Sequence, residues 1–265
     1  MDIKIQRFNI IILILSGSVI AYIAYPFISI FTFVDSSTMI ESLTRPQLSN
    51  AFILSLISST ISTLLLVFFG IPLAYCLARY TFRGKSILKI IVIFPLVLPP
   101  LASGALLLGV FGPSSPLGSS FPSIEFTQSL TGIIIAQTYI SSPFMILTSQ
   151  ASFESVDESY EMVARVLGKS EIETFIHVTL PLAKTGLIIG ILLTWVRAIG
   201  ELGATMMMSY NPHTVSIQIF EDNAIGGLRQ AMPDIIAVIM LSIIALVVVS
   251  TIKKKDQGGI KIGWS

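Results

Sequence analysis

The sequence predicts an all-α membrane protein whose 265 residues form one domain with six membrane-spanning helices. Three observations support this prediction. Only 12% of the residues are charged, 53% are hydrophobic, and the mean hydropathy is +0.85, whereas a soluble domain carries about 25% charged residues. Six apolar runs are each long enough to cross a bilayer, and a charge-rich segment at 150–184 separates the fourth run from the fifth.

The six apolar runs follow one another with short polar segments between them. A spanning helix needs about 20 residues, with a range of about 17–25. The first run follows Lys4 and Arg7, but it is too long for the core of a signal peptide and no A-x-A site follows it. We therefore expect an uncleaved first helix. The predicted spans are 8–33, 51–78, 90–111, 130–147, 187–208 and 235–252, and the short fourth span is expected to borrow residues at its ends.

The basic residues predict the orientation of these spans. If the N-terminus is cytoplasmic, only Arg45 and Arg229 fall on outer segments, and Arg197 lies inside the fifth span. Cytoplasmic loops carry an excess of Lys and Arg, so both termini are predicted to be cytoplasmic. An odd number of spans would destroy this asymmetry. The cytoplasmic cations would be Lys4, Arg7, Arg79, Arg83, Lys85, Lys89, Arg165, Lys169, Lys184, Lys253, Lys254, Lys255 and Lys261.

Two outer segments and the C-terminal tail complete this topology. Residues 112–122 are rich in Gly, Pro and Ser, which predicts turns rather than a long helix. Residues 211–232 contain a Gly226-Gly227 pair and are expected to form the longest outer segment. The tail from Lys253 onward is predicted to be a basic segment at the membrane surface.

The cytoplasmic segment 150–184 is predicted to contain two helices. Ser155 lies three residues before Glu158, and Ser170 lies three residues before Glu173. Each pair fits a capping box, which marks a helix N-terminus. The first helix is expected to be amphipathic. Its predicted apolar face is Val156, Tyr160, Val163, Ala164 and Leu167, and its charged residues Glu154, Asp157, Glu158, Glu161 and Arg165 mostly occupy the rest.

Two residues of this segment mark helix ends, and their spacing resembles a known motif. Gly168 stands where helices often end in a left-handed residue, and Pro181 suits the first turn of the next helix. The segment resembles the EAA loop of ATP-binding-cassette importer permeases, whose pattern is Glu-Ala-Ala, three residues, Gly, nine residues and Ile-x-Leu-Pro. Gly168 matches the glycine, and 178–181 (VTLP) stands for Ile-x-Leu-Pro. Residues 162–164 (MVA) occupy the Glu-Ala-Ala positions, with Glu161 one residue earlier.

The resemblance implies a type I importer permease whose loop is a coupling helix that docks on a cytoplasmic ATPase. It also implies a second permease copy in a homodimer, with a heterodimer as the alternative, and an extracytoplasmic oxyanion-binding protein. This chain would carry no cofactor, because the partner ATPase would bind ATP and Mg. The residues that the resemblance assigns to the coupling loop are Glu161, Ala164, Arg165, Gly168, Leu180 and Pro181.

Two short matches to a phosphate-binding loop are not predicted to bind ATP. The tripeptides at 84–86 and 168–170 both read Gly-Lys-Ser, like the end of a P-loop. A P-loop needs another glycine five residues earlier. Arg79 and Val163 occupy those positions.

The fifth predicted span contains two charged residues. Arg197 and Glu201 are four residues apart, so they share one face of a continuous helix. An unpaired charge in the middle of a bilayer costs at least about 2.5 kcal/mol on insertion scales. The pair would either lock this helix to its neighbours or belong to the transport pathway or gate. Gly186 and Gly190 would allow close helix packing, and the candidate pathway residues are Arg197, Gly200, Glu201, Gly203 and Thr205.

The sequence of the fifth span resembles one particular group of these importer permeases. Residues 197–205 (RAIGELGAT) are similar to the Arg-Ala-x-Gly-Glu-Phe-Gly-Ala-Thr segment of molybdate and tungstate permeases, with Leu202 in place of the usual Phe. Residues 94–100, followed by Gly104 and Gly112, resemble the third span of that group. The resemblance implies molybdate or tungstate as substrate. Sulfate or thiosulfate is the alternative, because sulfate permeases resemble this group closely; they often have Gly-Ser where this chain has Gly203 and Ala204.

Two other classes of function are less well supported by the sequence. An ion-coupled secondary transporter would be expected to show internal repeats and intramembrane acids, whereas no repeat is visible and Glu201 is the only deep acid in the predicted spans. A membrane-embedded enzyme would need a set of catalytic residues within the spans, and no such set is visible.

Overall fold

The structure is a computed structural model that describes residues 3–29 and 45–258, and this part of the chain is an all-α bundle without strands. The helices are α1 (Ile3–Ser29), α2 (Pro46–Arg79), α3 (Lys85–Val97), α4 (Pro100–Phe111), α5 (Pro116–Ser120), α6 (Leu130–Glu154), α7 (Glu158–Val166), α8 (Glu171–Thr174), α9 (Leu180–Ile199), α10 (Gly203–Met208) and α11 (Val215–Gly258). A π-helical turn, Phe175–Thr179, joins α8 to α9.

Within residues 3–29 and 45–258, six helical segments are long and apolar enough to cross a membrane, which confirms the predicted fold class. Their outward side chains are large and apolar, as the hydrocarbon of a bilayer requires, and their backbone groups are paired within the helices. The fourth span, α6, extends well past its predicted end. The six segments are Ile10–Ser29, Pro46–Arg79, Pro100–Ser120, Leu130–Glu154, Glu171–Ile199 and Val215–Ala245.

Helices α2, α6 and α9 form the centre of the bundle. Helix α6 makes the two most extensive helix contacts of the described structure, with α2 and with α9, and α2 and α9 also contact each other. Their main apolar cluster lies towards the C-terminal end of α2, around Leu77, Met145 and Phe153, which are fully buried. This cluster supports the segment that follows α6, so the charged loop sits on the best-packed part of the bundle.

The third apolar run is not the continuous helix that 90–111 predicts. It divides into α3 and α4 at Leu98 and Pro99, whose backbones are extended (ψ 139° and 136°). A residue that precedes proline is disfavoured in the helical region, and this applies to both Leu98 and Pro99 because Pro99 and Pro100 follow them. The break lets α4 leave the direction of α3 and pack against α10.

The fifth apolar run differs from its prediction at both ends. The helix begins at Glu171, because α8, the π-helical turn and α9 are continuous, and it ends at Ile199 instead of Met208. Within the π-helical turn the Leu180 N–H donates to Phe175 O, five residues earlier. The loop therefore leads into the span without a break at Pro181.

The sixth span begins much earlier than predicted. Residues 211–232 were expected to form an outer loop, but α11 begins at Val215 and includes most of them. The helix is interrupted at Gly227, where φ is 71° and ψ is −172°, a combination that is essentially restricted to glycine. The polar residues before Gly227 made this arm look like a loop, although they form a helix. Residues 30–33 of the first predicted span and residues 259–265 of the tail lie outside the described part.

The predicted close packing at Gly186 and Gly190 is confirmed. A Cβ added to Gly186 would collide with the side chain of Ser152, and one added to Gly190 would collide with Thr148. Small residues that let backbones approach are typical of helix contacts in membranes. Gly186 and Gly190 therefore set the distance between α9 and α6.

We expect the Gly186→Ala variant to be destabilised by about 1–3 kcal/mol, the usual cost of forcing an extra group into a well-packed contact. The added methyl group would meet the Ser152 side chain, so a second change, Ser152→Gly, should restore most of the lost stability. Thermal unfolding of the purified protein in detergent measures both effects. Gly109→Ala is the matched control, since a Cβ at Gly109 meets nothing within 4 Å. Equal destabilisation by both alanine substitutions would contradict the packing argument.

Candidate functional site

The two helices in the loop between α6 and α9, α7 and α8, have different kinds of N-cap. The predicted box at Ser170 and Glu173 is confirmed, with the Ser170 N–H donating to Glu173 Oε2 at 2.8 Å and the Glu173 N–H donating to Ser170 Oγ at 3.3 Å. The predicted box at Ser155 and Glu158 is wrong, because Ser155 ends α6. Asp157 caps α7 instead, accepting from the Ser159 N–H at 2.8 Å. That hydrogen bond lowers the pKa of the Asp157 carboxyl group.

Glu161 is the central side chain of the loop. Its side chain is 2% exposed, and its Oε1 atom accepts from Arg79 Nε at 2.8 Å and from Thr179 Oγ1 at 2.9 Å. Its Oε2 atom lies 3.5 Å from Arg165 Nη2 and accepts from the Tyr75 hydroxyl at 3.5 Å. One carboxylate thus joins α7 to the C-terminal end of α2 and to the π-helical turn before α9.

Arg79 makes a second connection to the loop. Its Nη2 group donates to Val156 O at 2.8 Å, so the guanidinium also holds the chain between α6 and α7. The Arg79 side chain is only 7% exposed, while Glu158, which approaches its Nη1 at 3.8 Å, is 67% exposed. A buried, hydrogen-bonded charge pair is strongly destabilised by losing one partner, whereas an exposed pair contributes little. The Arg79–Glu161 pair is therefore the contact that fixes the position of α7.

The amphipathic pattern of α7 agrees with its prediction only in part. The charged Glu161 faces inward together with Ala164, whereas Tyr160, Val163 and Leu167 are exposed. Val156 and Ala164, two members of the predicted apolar face, are buried. The exposed set also includes Met162 and Val166, so α7 presents an apolar surface without a partner in the described chain. We call the exposed side chains of Tyr160, Met162, Val163, Val166 and Leu167 the α7 surface.

Gly168 ends α7 in the left-handed conformation that its position predicts, with φ at +89°. The Gly168 N–H donates to Arg165 O at 2.9 Å, and the Lys169 N–H donates to Ala164 O at 3.1 Å. This pair of bonds is the Schellman pattern. A Cβ at Gly168 would meet nothing within 4 Å, so the glycine is required by its backbone angle and not by space.

The last two predicted loop residues lie at the start of α9. Leu180 is half-buried against the main apolar cluster, and Pro181 is exposed in the first turn, where its missing N–H is tolerated. Neither residue belongs to the α7 surface. Thr179 is the last residue of the π-helical turn, directly before these two residues. It is buried there and faces Glu161.

The second candidate site is a break in the fifth span. Arg197 and Glu201 do form the predicted ion pair, with Nη1 and Oε2 2.7 Å apart. They do not share one continuous helix, because α9 ends at Ile199 and Gly200 follows as its cap. Glu201 Oε1 instead accepts from the Ala204 N–H at 2.8 Å, at the start of α10. The carboxylate therefore connects both sides of the break.

Glycines hold α10 against α4. A Cβ at Gly203 would lie 2.8 Å from Pro100 Cβ, and one at Gly104 would lie 2.8 Å from Ala204 Cα. Thr205 is fully buried behind this contact, and its hydroxyl has no hydrogen-bond partner in the described structure. The break thus places Gly203 and Ala204 against the helix that follows the Leu98–Pro99 interruption.

The sequence missed several residues that complete the loop site. The sequence gives Arg79 no role in the loop and Thr179 only a place in the 178–181 motif, and it gives no role to Tyr75. The position of Arg79 at the end of an apolar run was the available signal, since a charge there can reach back to a following loop. Among the described residues, no three His, Cys, Asp or Glu side chains lie together in a way that could hold a metal ion.

Comparison with known proteins identifies the family. Residues 67–254 match the family described as the binding-protein-dependent transport system inner membrane component. The chain is 39% identical over 89% of its length to the probable molybdenum ABC transporter permease protein of Haloferax volcanii, covering 87% of that protein. It is 36% identical over 86% of its length to the molybdate/tungstate transport system permease protein WtpB of Pyrococcus abyssi, covering 88% of it.

Solved structures support the same architecture. A bacterial ABC transporter involved in the import of the acidic polysaccharide alginate has a chain that aligns with a TM-score of 0.68 at 18% identity, covering 96% of this chain and 98% of that one. The MetNI methionine ABC transporter aligns with a TM-score of 0.60 at 15% identity, covering 78% and 92%. At this level of identity the likeness concerns the fold.

These findings define a multi-pass membrane permease subunit of the ABC importer class. More particularly, the chain belongs to the family of binding-protein-dependent transport system inner membrane components. The matched range includes both the anchored loop and the charged break of the fifth span.

We expect Glu161→Gln to destabilise the loop, because it leaves the buried Arg79 without its charged partner. Removing one member of a buried pair costs about 3–5 kcal/mol. Glu158→Gln is the matched control, since it removes an exposed carboxylate from the same arginine at a cost of about 0–1 kcal/mol. Limited trypsin cleavage at Arg165 and Lys169 reports on the loop. Equal cleavage rates for the two variants would show that Glu161 does not fix α7.

We expect Glu201→Ala to loosen the break in the fifth span more than Glu201→Gln does. Glutamine still offers an oxygen to the Ala204 N–H, whereas alanine offers none, and both remove the charge that pairs with Arg197. A buried N–H that loses its acceptor costs about 1–3 kcal/mol. Hydrogen exchange of the α10 amide groups measures the difference. Identical exchange in both variants would indicate that Glu201 acts only through Arg197.

Proposed function

We propose that this permease imports molybdate or tungstate, working with a cytoplasmic ATPase and an extracytoplasmic binding protein. The names of the relatives from Haloferax volcanii and Pyrococcus abyssi support this substrate class. The 197–205 segment supports it too, because of its similarity to the corresponding segment of molybdate and tungstate permeases. Sulfate is the substrate to be tested against, since the residues that separate the two groups are few.

The observation that carries the coupling role is the α7 surface held in place by a buried ion pair. Apolar side chains that are exposed on a short, rigidly anchored helix are suited to fill a groove of another protein. Glu161 and Arg165 would position the helix from behind, and Gly168 would end it. Ala164 would pack beneath it, while Leu180 and Pro181 would carry its displacement into α9. Movement of the ATPase would reach the fifth span through this connection.

The charged break of the fifth span is the proposed pathway or gate. Gly200 caps α9, Gly203 packs closely against Pro100 of α4, and Thr205 follows on α10. Arg197 could meet a passing dianion, but Glu201 repels it, so a tight anion site is not expected here. The binding protein would therefore provide most of the selectivity for the oxyanion.

The same proposal includes the domain organisation, the orientation and the partners of the chain. The chain would act as one permease domain, with the loop at about 150–184 as its cytoplasmic part, and two copies would form a homodimer. The excess of Lys and Arg on the loop side supports cytoplasmic N- and C-termini. A structure of a related-fold ABC transporter in complex with a periplasmic protein supports the binding-protein partner. ATP and Mg would be bound by the ATPase and not by this chain.

The decisive experiment measures ATP hydrolysis by the permease reconstituted with the ATPase encoded beside it. Binding protein loaded with molybdate, tungstate or sulfate is added in separate reactions. Stimulation by the molybdate- or tungstate-loaded protein alone would establish the substrate class. Stimulation by sulfate alone would move the chain to the sulfate group, and failure to associate with any ATPase would contradict the importer proposal.

The α7 surface gives a sharper prediction. Leu167→Asp places a charge on an exposed apolar residue, so it should leave the fold intact and reduce ATPase binding at least about tenfold, the effect of about 1.4 kcal/mol. Phe121→Asp is the control, because Phe121 is exposed at the opposite end of the bundle. Co-purification of the ATPase with each variant measures the effect. Full binding by Leu167→Asp would exclude the α7 surface as the contact.

A further inference from the structure

The helix that leads from the loop into the fifth span contains one irregular turn. Helix α8 continues into α9 through the π-helical turn Phe175–Thr179, in which the Leu180 N–H donates to Phe175 O, five residues earlier. An α-helix pairs residues four apart, so this turn contains one extra residue. The extra residue changes the directions of the side chains before the turn by about 100° relative to those of α9. Such turns are rare within helices and often lie at functional sites.

Both ends of this turn are attached to the buried carboxylate of the loop. At its last residue, Thr179 is fully buried, and its hydroxyl group donates to Glu161 Oε1 at 2.9 Å. At its first residue, the centroid of the Phe175 ring lies 4.7 Å from that of Tyr75, whose hydroxyl group donates to Glu161 Oε2 at 3.5 Å. The Phe175 ring also lies 6.0 Å from the Phe153 ring of α6. The turn is therefore held between α7 and the main apolar cluster.

The Thr179 hydroxyl makes the direct polar connection between α7 and the fifth span. Among the described residues, its bond to Glu161 is the only side-chain hydrogen bond or ion pair that joins α7 to the continuous helix Glu171–Ile199. Glu161 is itself fixed by Arg79 at the end of α2. A hydrogen bond to an ionised acceptor is stronger than one between neutral groups. The bond thus makes a single unit of α7, the end of α2 and the start of α9.

Thr174, directly before the turn, offers a comparison within the same helix. Its side chain is also buried, at 1% exposure, but its hydroxyl group has no hydrogen-bond partner in the described part of the chain. Thr174 and Thr179 are therefore two buried threonines at the two ends of one turn, and only Thr179 contacts Glu161. Removing each hydroxyl in turn separates the effect of the bond from the effect of a lost buried hydroxyl.

We infer that Thr179 is a positioning residue for transport, whose bond to Glu161 makes α7 and α9 move together. The inference rests on the proposed role of the loop in coupling to the ATPase. With the bond in place, a displacement of α7 passes to the π-helical turn and on to α9. Without it, α7 is joined to α9 through packing, through the left-handed turn at Gly168 and through the π-helical turn, and these can absorb the displacement.

Distances between two spin labels test this connection in the full-length permease alone, purified in detergent. The labels are attached after Val166→Cys and Leu182→Cys, since both residues are exposed, in a Cys76→Ser background. We expect one narrow distribution of distances for the otherwise unchanged chain. Thr179→Val keeps the branched shape but removes the hydroxyl, so it should broaden the distribution. Thr179→Ser keeps the hydroxyl and should remain narrow, as should the matched control Thr174→Val.

Uptake into proteoliposomes that contain the permease and the ATPase, with binding protein added, is the functional test. Thr179→Val should lower the oxyanion taken up per ATP hydrolysed at least about tenfold, because losing a hydrogen bond to a charged group changes an equilibrium by at least that factor. Thr179→Ser should restore most of this ratio, and Thr174→Val should leave it unchanged. The ATPase should still co-purify with Thr179→Val, because Thr179 is buried and outside the α7 surface.

Three results would overturn the inference. These are a narrow distance distribution for Thr179→Val, normal uptake per ATP by that variant, and an equal loss of uptake per ATP in Thr174→Val. If the wild type transported none of the tested oxyanions, the proposed function would fail. The distance distributions would then still decide whether Thr179 holds α7 to α9.

Discussion

The structure depends on one buried ion pair, between Arg79 and Glu161. The arginine ends the longest unbroken helix of the bundle centre, and the glutamate belongs to a helix of only nine residues. So short a helix has little stability of its own, so its position must come from tertiary contacts. The pair, with Thr179 as a further donor, supplies those contacts and leaves the apolar side of α7 free to face a partner.

Two separate packing contacts hold the fifth span, one on each side of its break. Before its break, Gly186 and Gly190 hold α9 against α6, and after its break, Gly203 holds α10 against α4. Close packing of this kind resists small continuous deformations. A displacement that enters at the loop is therefore expected to act at the residues between the two contacts, where Gly200 interrupts the helix and Glu201 connects its sides.

The sequence could predict the fold because hydropathy and length define spanning helices almost without tertiary information. It could also predict the ends of α7 and α8 at Gly168 and Ser170, because capping is a local interaction. It could not predict that Glu161 of α7 is buried, since an isolated amphipathic pattern places charges outward. Only the presence of Arg79 at the same end of the bundle makes it favourable to bury Glu161 and to expose Leu167.

The pairing of Arg197 with Glu201 weakens the attraction of the arginine for an anion, as a passage for anions requires. An arginine alone in an apolar span would bind a dianion strongly and release it slowly, whereas transport requires a site that is weak enough to be left. The carboxylate at 2.7 Å offsets the positive charge, and at the same time it caps α10. A change in the geometry of the break would alter the separation of the two charges and therefore the attraction for the anion. Under the proposed function, the same carboxylate would thus link the conformation of the span to the affinity of the passage.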